Sequence, residues 1–225
     1  IREQRSEIEN RRPKIENRKS KIGVPHLLQL FARAIRLWWR EFLFLLVLNL
    51  IWLLAQATVV LGPPATAALV AVAAQVADDE LVDFGDFWRA LAANFRRAWL
   101  WGAAQLVVYG VLGFNFVAYA KTTDWPILAL RYAWGLLAMG WFEINLYYWP
   151  LNHAQTDKRF TTTLGNAAKM ALLNPGATIV YALLALVLIV SNTLSGLLLG
   201  TVLGAWLALW GVLVVRHLLG RQPRR

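Results

Sequence analysis

Uninterrupted apolar runs constrain this chain more than any other feature of its sequence. Five clear runs lie at 42–61, 100–120, 126–149, 176–191 and 195–215. About 20 residues of helix are needed to span a hydrocarbon core roughly 30 Å thick. A large soluble helical core would need polar faces on its helices, and most of these runs have none. The sequence therefore predicts an all-α fold, a polytopic transmembrane helical bundle in a lipid bilayer.

Composition agrees with a membrane protein. The chain of 225 residues is 58% hydrophobic and 16% charged, whereas about a quarter of the residues in an ordinary soluble domain are charged. It has no cysteine, which excludes disulfides, thiolate metal ligands and cysteine nucleophiles. We attribute the net charge of +10 to cytoplasmic loops and not to a nucleic-acid partner, because basic residues collect in such loops.

The stretch Gly62-Pro63-Pro64 decides the number of crossings. Five spans would place the two basic ends of the chain on opposite sides of the membrane. Glycine permits a tight turn, and proline is well placed in the first turn of a helix. We therefore predict that residues 64–77 form a short helix that returns to the starting side. A re-entrant half-helix over the same residues is the alternative.

With this helix the chain has six helices in three hairpins, and its charges sort onto two sides. The basic residues that fall inside are Arg33, Arg36, Arg40, Arg89, Arg96, Arg97, Lys158, Arg159, Lys169 and Arg216. Lys121 is the only basic residue in an outside loop. Because Lys and Arg are in excess in cytoplasmic loops, the sequence predicts a multi-pass protein with both termini in the cytoplasm.

The two ends of the chain differ from the apolar domain at 25–219. Residues 1–24 repeat SEIENRR, PKIENRK and SKI every seven residues, but they offer one apolar position per heptad and contain Pro13. A coiled coil needs two such positions, and proline breaks a helix. We predict a disordered, low-complexity basic tail and interpret it as a mis-called start or a fragment. Residues 220–225 form a basic C-terminal tail.

An amphipathic segment is predicted at 84–98. Its apolar residues fall at helical spacing on one face, and they are Phe84, Phe87, Trp88, Leu91 and Phe95. We expect a helix here that lies at the inner membrane surface. One interpretation is a docking surface for a partner, with candidate residues Phe87, Trp88, Arg96 and Arg97. The other is a connector helix tucked against the membrane.

A weak internal repeat links two of the cytoplasmic segments. Residues 91–103 can be aligned with residues 164–177 when one extra residue is allowed at Pro175. Two cytoplasmic helices that each lead into a hairpin would be the structural consequence.

Polar side chains inside the spans are the remaining candidates for function. Glu143 lies within the fourth span, where a carboxylate is costly and by default marks a functional site. It would relay a proton or coordinate a cation, or it would be a structural carboxyl bonded to neighbouring helices. Asn145 and Asn49 are intramembrane amides, for which interhelical hydrogen bonding is the alternative to a functional role.

Other polar and aromatic side chains are assigned structural roles. The three histidines lie on separate segments and do not make a metal site by their spacing: His26, His153 and His217. We expect no metal and no cofactor. The fourth span ends in three aromatic residues that we predict to form an inner aromatic belt, namely Tyr147, Tyr148 and Trp149.

A family resemblance comes from the region around the glycine-proline turn. Asn49 and Trp52 lie in the first span, Gly62, Pro64, Ala65 and Thr66 form the turn, and Phe87 and Trp88 follow in the cytoplasmic segment. This combination resembles the YesL family of bacterial membrane proteins, a domain of unknown function (624), over roughly residues 28–219. The second proline departs from the family pattern. The resemblance implies a bacterial inner membrane and an association with carbohydrate uptake, and it implies no defined activity.

The functional expectation is a non-enzymatic accessory or interaction protein linked to carbohydrate uptake, with sugar-transporter subunits as its partners. The alternative is a small transporter or channel that uses Glu143. A lipid-modifying enzyme is a third possibility, but it would need a cluster of polar residues at one membrane face. The sequence displays no such cluster, so we do not expect an enzyme.

Overall fold

The computed structural model describes residues 24–194 and 197–220, and in these residues the chain folds into eight α-helices. They are α1 (Val24–Arg40), α2 (Phe42–Ala57), α3 (Gly62–Ala77), α4 (Phe84–Ala118), α5 (Trp125–Ala154), α6 (Phe160–Leu173), α7 (Pro175–Leu194) and α8 (Leu197–Leu218). The all-α prediction is confirmed. Residues 1–23 and 221–225, which hold nearly all of both predicted tails, lie outside the described residues.

Two of the described helices, α4 and α5, are long and apolar enough to cross a membrane. Two further spans result if each bent helix pair counts as one crossing. α1 and α2 meet at 94°, and α6 and α7 meet at 104°. α3 and residues 202–218 of α8 are apolar but shorter. By length and composition the described helices therefore provide two to four candidate spans.

The segment at 84–98 is not a separate surface helix, and this prediction is wrong. It is the first half of α4, which runs without a break from Phe84 to Ala118, roughly 52 Å at 1.5 Å per residue. Asp83 and Asp86 cap its start, since each carboxylate accepts the other residue's backbone N–H, at 2.8 and 2.9 Å. No proline follows to end the helix, and its apolar side packs along α3.

The α2–α3 hairpin covers only this first half of α4. The Trp99 indole donates a hydrogen bond of 2.9 Å to the carbonyl of Val60, in the turn between α2 and α3. A Cβ on Gly102 would lie 2.7 Å from Cγ of Pro63, at the start of α3. Residues 103–118 of α4 therefore extend roughly 24 Å beyond the tip of the hairpin.

The two segments of the predicted internal repeat have different structures. Residues 91–103 continue straight through α4, whereas residues 164–177 are divided at Asn174 and Pro175, where α6 ends and α7 begins. Proline disfavours helical dihedrals in the residue before it. The extra residue that the alignment requires is thus the residue at which the chain bends, and the alignment does not describe equivalent helices.

A charged face joins the ends of three helices. It consists of two ion pairs, Arg40 with Asp79 and Arg216 with Asp78. Arg216 donates to both carboxylate oxygens of Asp78, at 2.6 and 2.7 Å, and to the carbonyl of Ala74 at 3.0 Å. Arg40 pairs with Asp79. α3 and α8 therefore end on the side where α2 begins, which is the direction predicted for the short helix.

Aromatic side chains fill the interior between the helices. Tyr147 and Tyr148 are almost fully buried and Trp149 is 5% exposed, so they form part of the core and not the predicted inner belt. Trp210 of α8 packs edge-on against Tyr181, with ring centroids 4.6 Å apart. The ends of α5, α7 and α8 are held together by these contacts, because Tyr147 also lies 5.7 Å from Tyr181.

Candidate functional site

The predicted turn motif ties α2 to α3 through one hydroxyl group. The Thr66 hydroxyl accepts hydrogen bonds from the Trp52 indole and from the Gln56 amide, both at 3.1 Å. It also donates to the carbonyl of Gly62 at 3.0 Å. Since these partners lie on both sides of the turn, Thr66 fixes the angle of the hairpin. Gln56 is one of the amides inside the predicted first span at 42–61, for which interhelical hydrogen bonding is the expected role.

The other motif residues are buried at the tip of the hairpin. Gly62, Pro64 and Ala65 are buried. A Cβ on Gly62 would lie 2.8 Å from Oε1 of Gln56, closer than carbon and oxygen normally approach. The additional proline, Pro63, lies against Gly102 of α4. The motif therefore has a structural role as the packed tip of a hairpin.

A cavity of about 350 Å³ adjoins this turn. It is bounded by helices α2, α3, α4, α5, α7 and α8. Aromatic rings make up much of its wall, and they belong to Trp52, Trp101, Tyr109, Phe142, Trp149 and Tyr181. Three polar side chains also reach it: Thr66, Gln105 and Asn145. Cavities of this size and composition accommodate small, largely apolar molecules.

The polar groups at the cavity are already bonded to one another. Asn145 Oδ1 accepts from the Trp101 indole at 2.9 Å and from the Gln105 amide. The Asn145 amide donates to the carbonyl of Trp141 at 2.7 Å, and the Trp141 indole donates to Gln105 at 2.8 Å. These contacts give Asn145 the interhelical hydrogen bonds that were predicted as the alternative to a functional role. A closed network of this kind holds α4 against α5 within apolar surroundings.

One donor at the cavity has no acceptor among the described residues. The indole N–H of Trp149 is buried and unbonded, and this would favour a ligand with an acceptor oxygen. Four other buried indoles are also unbonded, those of Trp38, Trp134, Trp206 and Trp210. The unbonded indole is thus common in this bundle and does not mark the cavity as a binding site.

Asn49 is placed in a structural position. It is fully buried on α2, and its Oδ1 accepts the backbone N–H of Ala205 on α8 at 2.8 Å. A Cβ on the neighbouring Gly204 would lie 2.6 Å from this oxygen. The contact requires glycine on α8 and joins the first described hairpin to the last helix.

Glu143 is separate from the cavity. It is half-buried on α5 and is not one of the cavity-lining residues, although Phe142 and Asn145 are. The described residues provide no hydrogen bond or ion pair to its carboxylate. Tyr147 lies one helical turn further along on the same side of α5. The Tyr147 hydroxyl is hydrogen-bonded to the hydroxyl of Thr178 on α7, at 3.0 Å. The structure therefore does not bring Glu143 together with Asn145 or Asn49.

The predicted docking residues do not share one exposed face. Phe87 is fully buried in the core, so it cannot contact a partner, and this part of the prediction is wrong. Its side of α4 packs on α3. Trp88 is 50% exposed, and Arg96 and Arg97 are exposed. These three residues remain available on the surface of α4.

No group of three or more His, Asp or Glu side chains among the described residues is arranged to hold a metal ion. His26 and His217 approach each other at 5.8 Å between ring centroids, a contact between α1 and α8 that their sequence separation did not predict.

Comparison with known proteins finds a family match for one region of the chain. Residues 45–116 match the model of a family described as a protein of unknown function, DUF624. The match runs from α2 through α3 and along α4, and it contains the glycine-proline turn, Trp88, Arg96 and Arg97. It confirms the resemblance seen in the sequence over residues 45–116. No curated protein and no solved structure matches the chain.

Proposed function

We propose that this DUF624 protein is a non-enzymatic accessory protein of the bacterial inner membrane that binds a carbohydrate-uptake transporter. One observation supports this best. Arg96 and Arg97 are exposed within the matched region and have no acidic partner among the described residues. Exposed Trp88 lies two turns before them on α4. Arginine and tryptophan are enriched where partners bind, and unpaired cations attract an acidic surface.

The link to carbohydrate uptake rests on the family resemblance. Nothing in the geometry of the described residues selects a sugar. The proposal therefore has two parts, a partner with an acidic surface and the identity of that partner as a sugar-transporter subunit, and the experiment must address both.

The proposed topology has three hairpins, with both termini in the cytoplasm and the α2–α3 hairpin re-entrant. The contact of Trp99 with Val60 supports the re-entrant form, because Arg96 and Arg97 lie within one turn of the level of the hairpin tip. If the tip reached the outer face, both exposed arginines would lie near that face, against the positive-inside rule. If the tip stops inside the bilayer, both arginines stay at the depth of the tip and away from the outer face.

A small transporter is the second candidate, and one observation favours it. The short helix α3 lines the cavity through Thr66, Leu69 and Val70, as a path-lining helix would. Against it, the amides there are bonded to one another, and Glu143 lies elsewhere. A proton or cation path through this cavity would have to proceed without the carboxylate.

The first experiment is cross-linking in the native host followed by purification of the tagged full chain. Charge reversal at Arg96→Glu/Arg97→Glu should reduce the recovery of sugar-transporter subunits at least tenfold, because like charges at an interface cost several kcal/mol. The matched control is Arg33→Glu/Arg36→Glu, an equal charge change on α1 outside the matched region. Equal recovery from both variants, or no transporter subunit from the unmodified protein, contradicts the proposal.

The second experiment separates the two candidates through Glu143. In the accessory protein, Glu143→Gln should leave the recovery of transporter subunits and the sugar uptake of the host unchanged. In a transporter that uses this carboxylate, the same substitution should abolish flux in proteoliposomes that contain the purified protein alone. Flux by the purified protein that depends on Glu143 would replace the accessory proposal with the transporter.

A further inference from the structure

A second pocket opens beside the middle of α4, at Arg96, Arg97 and Leu100. It has a volume of about 890 Å³ and lies between α4, the end of α5 and the loop that leads into α6. Four cationic side chains line it, from Arg96, Arg97, Lys158 and Arg159. The two pairs are more than 60 positions apart in the sequence, so the fold itself concentrates this charge in one place.

The cations of this pocket are not neutralised by the protein. Arg96 and Lys158 have no hydrogen-bonded or ion-paired side-chain partner among the described residues. Arg97 reaches only the amide oxygen of Asn94, at 3.4 Å. Arg159 approaches Asp157 at 3.9 Å, with both side chains exposed, and an exposed pair at that distance contributes little.

The one carboxylate in the pocket has other partners. Asp157 accepts the backbone N–H of Arg159 and the hydroxyl of Thr162, both at 3.0 Å. These bonds hold its pKa below the usual range for aspartate. Asp157 therefore stays ionised but serves to fix the loop before α6, and the pocket keeps an excess of positive charge.

The pocket lies where a charged group would meet an apolar one. Arg96 and Arg97 immediately precede the apolar run of α4, and Leu100, which lines the pocket, is 55% exposed. Two aromatic rings of the lining, Tyr148 and Phe160, lie 5.9 Å apart. A ligand with a phosphate at one end and an apolar chain at the other would place the phosphate among the cations and the chain along Leu100.

We propose that this pocket binds the phosphate of an anionic ligand, either an anionic phospholipid headgroup or a soluble phosphorylated molecule. Arginine presents paired N–H groups that match phosphate oxygens, and basic pockets between membrane helices on the cytoplasmic side bind anionic headgroups. This inference requires no protein partner and goes beyond the accessory role.

The test uses the full chain in mild detergent and measures bound ligand by native mass spectrometry. Phosphatidylglycerol is the anionic probe, phosphatidylcholine is the zwitterionic probe, and inorganic phosphate is the soluble probe. Lys158→Gln/Arg159→Gln should weaken phosphatidylglycerol binding by about 25-fold, since each basic residue contributes about fivefold near a membrane surface. Arg33→Gln/Arg36→Gln removes the same charge from α1 and should leave the binding unchanged.

The outcomes separate the sources and the alternatives. Preference for phosphatidylglycerol over phosphatidylcholine, without competition from inorganic phosphate, assigns a lipid headgroup. Saturable binding of inorganic phosphate that depends on Lys158 and Arg159, without a lipid preference, assigns a soluble phosphorylated ligand. The proposal is overturned if neither phosphatidylglycerol nor inorganic phosphate binds, or if both double variants lose binding equally.

The result is independent of the partner experiment because the tested residues differ. Lys158→Gln/Arg159→Gln leaves Trp88, Arg96 and Arg97 in place, so recovery of transporter subunits should persist when lipid binding is lost. Loss of both readouts in a variant that still unfolds at the same temperature would show that the phosphate site and the partner surface are one.

Discussion

At the scale of single residues, glycine at 102 is required by the approach of α3 to α4. A Cβ there would lie 2.7 Å from Cγ of Pro63, and a proline ring cannot rotate away. We expect Gly102→Ala to destabilise the protein by about 1–3 kcal/mol and to lower the Tm of the detergent-purified chain. Gly110→Ala is the control on the same helix, because nothing lies within 4 Å of its Cβ position. A Gly102→Ala protein as stable as Gly110→Ala would disprove the close contact.

The hydroxyl of Thr66 provides a second test at this scale. Thr66→Val keeps the shape of the side chain but removes the acceptor for Trp52 and Gln56. We expect a loss of about 1–2 kcal/mol, the value found for hydrogen bonds between membrane helices in model peptides. Thr66→Ser retains the hydroxyl and should restore most of the stability. If valine and serine lower the Tm equally, the methyl packing matters and the hydrogen bonds do not.

The motif residues could be identified from the sequence, but their partners could not. Gly62, Pro64 and Thr66 stand in an unusual local pattern, whereas nothing in the sequence marks Gly102 as the residue that lies against Pro63. The same limit explains the error at Phe87. Helical periodicity places Phe87 and Trp88 on one broad apolar face, and only the position of α3 decides that Phe87 is buried and Trp88 is half exposed.

At the scale of helices, α4 and α5 are joined by polar contacts in apolar surroundings. Asn145 accepts from Trp101 and Gln105, so Asn145→Leu leaves two donors without an acceptor. A double-mutant cycle with Gln105→Leu should give a coupling energy of about 0.6–1.7 kcal/mol, measured from the unfolding free energies of the four proteins. Strict additivity of the two substitutions would show that the hydrogen bond between the Gln105 and Asn145 side chains does not stabilise this helix pair.

The error over α4 has a physical cause at the same scale. The pattern of residues 84–98 fits an amphipathic helix equally well whether it lies on a membrane or stands beside another helix. No helix breaker follows it, and the chain continues as one helix to Ala118. At Asn174 and Pro175 the opposite holds, since proline ends α6 and the chain bends by 104°. The apolar runs were predictable from the order of apolar residues along the chain, whereas the direction of the helix between two runs depends on the helices packed against it.

At the scale of the whole molecule, the charges and the register of the hairpins determine the topology together. Arg216 with Asp78 and Arg40 with Asp79 bring the ends of α3 and α8 to the beginning of α2. Charge counting predicts the same grouping of basic residues, because it depends only on which loops share a side. It cannot predict depth, because a hairpin that crosses fully and one that turns back inside the bilayer both leave Arg40, Asp78 and Asp79 on the same side.

Cysteine labelling measures that depth directly, since the native chain has no cysteine. The turn between α4 and α5 should lie outside, and we expect Thr122→Cys to react with a membrane-impermeant maleimide added to intact cells. Val60→Cys, at the tip of the α2–α3 hairpin and 54% exposed in the absence of lipid, should not react if the tip ends within the bilayer. Two controls test whether both thiols can react at all. One uses a membrane-permeant maleimide on cells, and the other adds the impermeant maleimide to detergent-solubilised protein. Labelling of both positions from outside would establish that the α2–α3 hairpin crosses fully, and Arg96 and Arg97 would then have to be stabilised near the outer face by a partner with acidic groups.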